Sequence, residues 1–180
     1  FSMMLKPQDI LILLKIVALD EKEWLYPSLA GELFMSVSET HGGIKRAVAA
    51  RLAEPGAGKR KAGAIAIRKT ALEEFLIHGV KYAFPPDRGE ITRGMPTGYA
   101  APFFVKRIAP TNDPSPVWPT PEGAFKGYAF SPLYKSVPKS AGADIRLYEL
   151  LALLDAIRDG RARERDIAAK DIRSRLSKGW

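Results

Sequence analysis

Residues 29–52, LAGELFMSVSETHGGIKRAVAARL, read as two short helices joined by a tight turn, and that reading decides the fold of the first half of the chain. Leu29, Ala30 and Leu33 are spaced to bury one side of a first helix, and Met35 to Val37 make the turn. Ser36 followed three residues later by Glu39 has the spacing of a capping box. In that motif the serine oxygen accepts from a free backbone N–H of the first turn, and the glutamate reaches back to the N–H of the cap. The spacing therefore predicts a second helix from about Val37. Within it Thr40, Ile44, Ala47 and Val48 recur at three- and four-residue steps and are expected to face the core. Ser38, His41, Gly42, Lys45, Arg46 and Ala49 are then left outward.

Such an outward stripe of small, hydroxyl, imidazole and cationic groups suits a DNA major groove: small residues allow close approach, and Lys, Arg, Ser and His supply donors for base edges and phosphates. The order LA..L..S.SETH..IKRA..RL stands at Leu29, Ala30, Leu33, Ser36, Ser38, Glu39, Thr40, His41, Ile44, Lys45, Arg46, Ala47, Arg51 and Leu52. It resembles the helix-turn-helix core of prokaryotic winged-helix transcription regulators of the MarR-like type, over roughly the first 85 residues. The resemblance implies a three-helix core with a two-stranded wing, usually a dimer on a palindromic operator. Two features depart from the pattern. Gly42 and Gly43 stand consecutively inside the reader helix, each costing roughly 1 kcal/mol relative to alanine. The wing segment, LAEPGAGKRKAGAIAI at 52–67, offers only one short β-like run, Ala64 to Ile67.

Charge supports a polyanionic partner. From Glu39 to Thr70 there are eight basic residues against two acidic ones, a net +6 out of +8 for the whole chain. A field focused on one patch favours nucleic acid, whereas cations that merely solvate a helix face need no function. The candidate DNA contacts are Ser38, His41, Gly42, Lys45 and Arg46 on the helix, and Lys59, Arg60 and Lys61 at the tip of the wing.

Composition narrows the class. At 180 residues and 46% hydrophobic the chain can bury a sizeable core. It has no cysteine, which excludes disulfides, zinc fingers and thiol nucleophiles and is compatible with a reducing cytoplasm. No apolar run approaches the ~20 residues of a membrane span, and no signal-peptide pattern stands at the start. A cytoplasmic protein is expected, with Phe1 to Met3 read as a remnant ahead of a start at Met4.

Pro7 heads PQDILILLKIVALD, where Ile10, Leu13, Leu14 and Val17 share a face; this is the expected first helix of the DNA-binding unit, 4–84. Thr70 with Glu73 repeats the capping-box spacing ahead of a fourth helix over 71–84. Residues 85–140 hold eleven of the fourteen prolines, together with many aromatics. That density argues against long helices and central strands, so an ordered but irregular wrap on the core is expected. Arg88, Arg93, Lys106, Arg107 and Lys126 could line a groove there. Basic and aromatic residues alternating in this way also suit single-stranded nucleic acid, but aromatics at this density more often form core.

The last unit, 141–178, reads as a helical hairpin. Asp144 is a cap for DIRLYELLALLDAIRD, Gly160 a stop, and a second helix follows over about 162–177. Leu147, Leu150, Leu151, Leu154 and Ile157 form an apolar stripe that needs covering, either by the body of the same chain or by a second copy, and a homodimer is the expected cover.

Neither histidine has metal-ligand spacing, and no Walker-type loop or nucleophile elbow is present. His78 reads as a structural residue among apolar neighbours. No catalytic role, metal or cofactor is expected. The sequence thus predicts a mainly α protein: a winged helix-turn-helix core, a proline-rich irregular wrap and a C-terminal helical hairpin. The expected function is sequence-specific binding of double-stranded DNA as a transcriptional regulator, a repressor acting by operator occlusion. The alternatives are an antitoxin-type autorepressor that binds a neighbour-encoded protein, and a nucleic-acid-associated structural protein without sequence preference.

Overall fold

A computed structural model describes residues 3–56 and 65–180. The protein is mainly α with some β. Helices α1 (Pro7–Leu19), α2 (Tyr26–Glu32) and α3 (Val37–Ala49) come first, followed by a two-stranded antiparallel sheet of β1 (Ala53–Pro55) and β2 (Ile65–Ile67), with Ala53 opposite Ile67. Next comes a helical segment made of α4 (Lys69–Glu74), a π turn (Phe75–Gly79) and α5 (Val80–Ala83). A Cβ on Gly79 would lie 2.6 Å from the Phe75 ring, so the glycine lets that ring fold across the wider π turn. The expected Thr70–Glu73 box does not form. The helix starts two residues earlier than expected, at Lys69, with no side-chain cap, and Glu73 instead pairs with Arg173 at 3.3 Å. His78 is exposed on the π turn.

The proline-rich segment is more regular than its composition suggests. Strands β3 (Arg88–Pro96), β4 (Pro116–Pro119) and β5 (Phe125–Phe130) each pair with the other two, β3 antiparallel to both and β4 parallel to β5. The short helix α6 (Pro102–Val105) lies between β3 and β4. Prolines are accommodated because Pro96, Pro116 and Pro119 stand at strand ends, where a missing N–H removes little of the ladder. Glycine does the rest. A Cβ on Gly94 would fall 2.2 Å from the Trp118 carbonyl oxygen, and one on Gly127 would fall 2.0 Å from that of Ser115, so the strands meet closely only through these residues. The aromatics Phe104, Trp118 and Phe130 are fully buried, as their density suggested.

Helices α7 (Val137–Ala143), α8 (Ile145–Asp159) and α9 (Ala162–Lys178) complete the chain. Asp144 caps α8 as expected, accepting from the N–H groups of Arg146 and Leu147 at 3.0 and 3.2 Å. The apolar stripe, however, is not a dimer surface. Leu147, Leu150, Leu151, Leu154 and Ile157 are at most 2% exposed within a single chain. They are covered by α1, α7, α9 and the 3-10 turn Gly98–Ala100. Apolar on nearly every side, α8 is the central helix of the molecule rather than half of a hairpin awaiting a partner.

A buried polar knot locks the strands to this helix. The Asp155 carboxylate accepts from Thr97 Oγ1 and Trp118 Nε1 at 2.7 Å each and from Arg158 Nη1 at 2.9 Å. Arg158 in turn donates to the carbonyls of Phe84 and Ser131. Each donor comes from a different part of the core, so the knot specifies how sheet, α5 and α8 meet. Among the described residues no helix is long and apolar enough to cross a membrane.

Candidate nucleic-acid interface

Helix α3 begins as its residues dictate. Glu39 N donates to Ser36 Oγ and Ser36 N donates to Glu39 Oε2, both at 3.1 Å, closing the capping box. Thr40, Ile44 and Ala47 are buried and Val48 half-buried, as the helical period requires. The paired glycines have a packing cause at the second position: a Cβ on Gly43 would lie 2.4 Å from Ile12 Cδ1 and 2.9 Å from Asp9 Oδ1. Gly43 therefore allows α3 to press directly onto α1, and that contact offsets its poor helix propensity.

Arg46 does not face outward. Its side chain is buried and forms a two-bond pair with Asp9 of α1, Nε to Oδ2 at 2.8 Å and Nη2 to Oδ1 at 2.6 Å. Periodicity placed it outward, but it borders the buried Ala47 and Gly43, where a side chain's direction depends on what packs there. The acid that draws it inward lies 37 residues upstream. Arg46 is thus a seat for the helix, and the outward set loses one cation.

Of the expected outward set, Ser38, His41, Lys45 and Ala49 are exposed and Gly42 is half-buried among them; Val37 and Glu39 in the first turn of α3 are exposed as well. The His41 ring stands 5.1 Å from that of Tyr26, tilted by 57°, so α2 orients it. Lys59, Arg60 and Lys61 lie outside the described residues. Strands β1 and β2 on either side of them form a hairpin directly after α3, and Arg68 and Lys69 are exposed at its exit. Of the cations placed in the proline-rich segment, Arg88 and Arg107 are engaged in ion pairs with Asp159 and Asp171, while Arg93, Lys106 and Lys126 are exposed.

Both helices of the pair end in the same way. Met35 N bonds Ala30 O at 3.0 Å and Phe34 N bonds Gly31 O at 3.2 Å; Leu52 N bonds Ala47 O at 3.0 Å and Arg51 N bonds Val48 O at 2.9 Å. These are Schellman caps, whose central residue must be left-handed. Phe34 (φ 53) and Arg51 (φ 61) occupy that position where glycine would be strain-free, and both are exposed.

Sequence reasoning missed one neighbour of α3. Tyr134 donates its hydroxyl to Glu39 Oε1 at 2.8 Å. That bond, together with the Ser36 contacts and nearby Lys135, holds the Glu39 carboxyl below its ordinary range, despite a small opposing effect of burial. No local signal joins residues 39 and 134. Comparisons with protein-family profiles, with curated proteins and with solved structures find no match to this chain.

Proposed function

We propose that this chain is a sequence-specific reader of double-stranded DNA, a transcriptional regulator of the winged helix-turn-helix kind that represses by occluding its operator. In this reading α3 is the recognition helix and the β1–β2 hairpin is the wing. The observation that carries it is the exposed face of α3, Ser38, His41, Lys45 and Ala49, on a helix whose other side is fixed by the Asp9–Arg46 pair and the Gly43 contact. A helix held this firmly can present donors to base edges without reordering on binding. Its small residues let the backbone approach the groove floor, while His41 and Lys45 donate to acceptors on purine edges. Lys59, Arg60 and Lys61, which lie between β1 and β2 in sequence, with Arg68 and Lys69 after β2, hold phosphates and set the orientation without reading sequence.

Selection of bound duplexes from a random pool tests the reading. A motif is expected to emerge, and His41→Ala or Lys45→Ala should relax preference at one or two of its positions, by roughly 1–3 kcal/mol for a bidentate contact and less for a single bond. Binding without any motif would favour the structural, non-specific alternative, and absence of duplex binding at low salt would overturn the reading.

A further inference from the structure

The second half of the chain reaches the N-terminal end of α3. Besides the Tyr134–Glu39 hydrogen bond, the Lys139 ammonium on α7 stands 6.0 Å from the ring centroid of Phe34, in the turn that precedes α3. Lys135 adds its charge beside Glu39, and Lys139 shares its field with Glu122 of the β4–β5 connection. Phe34, Lys135 and Lys139 are all exposed. Two ammonium groups from a remote segment therefore stand beside the N-terminal end of the reader helix. That is the end which enters the groove in helix-turn-helix docking, with phosphate strands on either side. A carboxylate there would repel phosphate, but Glu39 is turned back onto its own cap by Ser36 and Tyr134, with Lys135 offsetting its charge.

Resting on the DNA reading of α3, we infer that the duplex-contacting surface is composite: Lys135 and Lys139 bind backbone phosphates flanking the groove that α3 enters. The sheet-bearing half of the chain is then part of the DNA-binding surface and not an appendage to it. This assigns a contact role to residues that lie outside the N-terminal unit altogether. Lysine, a compact charge on a flexible stem, suits phosphate contact without base discrimination.

The test measures affinity against salt concentration for the full chain and three variants, on a selected duplex and a scrambled one. The variants are Lys135→Gln with Lys139→Gln, Lys45→Ala, and Arg163→Gln with Lys170→Gln. The last pair is exposed on α9, which packs against α8 and α4, and it removes the same net charge. The first variant should lower the log–log salt slope by about 1.8, from about 0.9 per lost phosphate contact, and weaken both duplexes by the same factor. The α9 variant should leave the slope nearly unchanged. If Lys45→Ala weakens binding but the Lys135/Lys139 variant keeps the parent slope, the composite surface is refuted and the reader helix stands. An equal fall in the α9 variant also refutes it, since bulk charge would then explain the loss. If the parent chain binds neither duplex, the DNA reading itself fails.

Discussion

Arg46 sits on α3 yet turns inward, its guanidinium donating two hydrogen bonds to the Asp9 carboxylate of α1 in a pair where Asp9 is fully buried. Asp9 also accepts from the backbone N–H of Lys6 at 2.8 Å, so one carboxylate caps α1 and seats α3. Asp9→Ala removes the two-bond partner of a buried cation and should lower unfolding free energy by about 3–5 kcal/mol, measured by urea denaturation. Asp9→Leu combined with Arg46→Met should recover most of that loss, because an apolar pair needs no compensation. A double variant as unstable as the single one would show that the pair does more than seat the helix.

The left-handed Arg51 invites a trade between stability and binding. Arg51→Gly should stabilise the fold by about 1 kcal/mol, because glycine carries no left-handed penalty, whereas Arg51→Ala should give no gain. If the arginine contacts phosphate, both variants also lower the salt slope by about 0.9. Thermal melts and binding isotherms on the same samples decide whether strain at the end of α3 is retained for the side chain.

Two helical glycines should respond oppositely to alanine. Gly43→Ala gains helix propensity but drives a methyl into Ile12 and Asp9, and should destabilise by about 1–3 kcal/mol. At Gly142, near the end of α7, a new Cβ meets nothing within 4 Å, so Gly142→Ala should stabilise by up to about 1 kcal/mol. Equal shifts in denaturation midpoint would contradict the close α1–α3 contact.

The Lys15–Asp144 ion pair, 2.6 Å long and joined by Glu32 at 2.5 Å, links α1 to the start of α8 and predicts a two-sided pH response. Burial raises the Asp144 pKa, but the Lys15 hydrogen bond and the α8 N–H groups outweigh it, leaving a net depression from 3.8. Its stabilising contribution is therefore present above pH 3.8 and is lost as pH falls through the depressed value. For Lys15, burial lowers the pKa but the two carboxylates outweigh it, a net rise from 10.5. That contribution is complete below pH 10.5 and is lost as pH climbs through the raised value. Asp144→Asn should flatten the acid limb of a stability–pH curve; an unchanged limb would assign acid unfolding to other carboxylates.

Much of this architecture is legible locally, because its causes lie within one or two helical turns. Pro7 heads α1, Ser36 and Glu39 open α3, Asp144 caps α8 and Gly160 ends it, each acting through backbone groups a few residues away. The exposed face of α3 follows from period alone at Ser38, His41 and Lys45. Direction at the flanks of a helix does not, and Arg46 turned inward for a carboxylate on another helix. The leucine stripe of α8 was visible as apolar, but whether its cover came from a second chain or from α1, α7 and α9 depended on packing. Strands β3 to β5 were hidden by their prolines, since pairing across 23 to 42 residues, as between Trp118 or Phe130 and their β3 partners, leaves no periodic trace in segments so short. Local sequence set where helices begin, end and are apolar; only the tertiary structure, by bringing distant groups such as Tyr134 and Glu39 within hydrogen-bond reach, decided which of those faces remain free to meet another molecule.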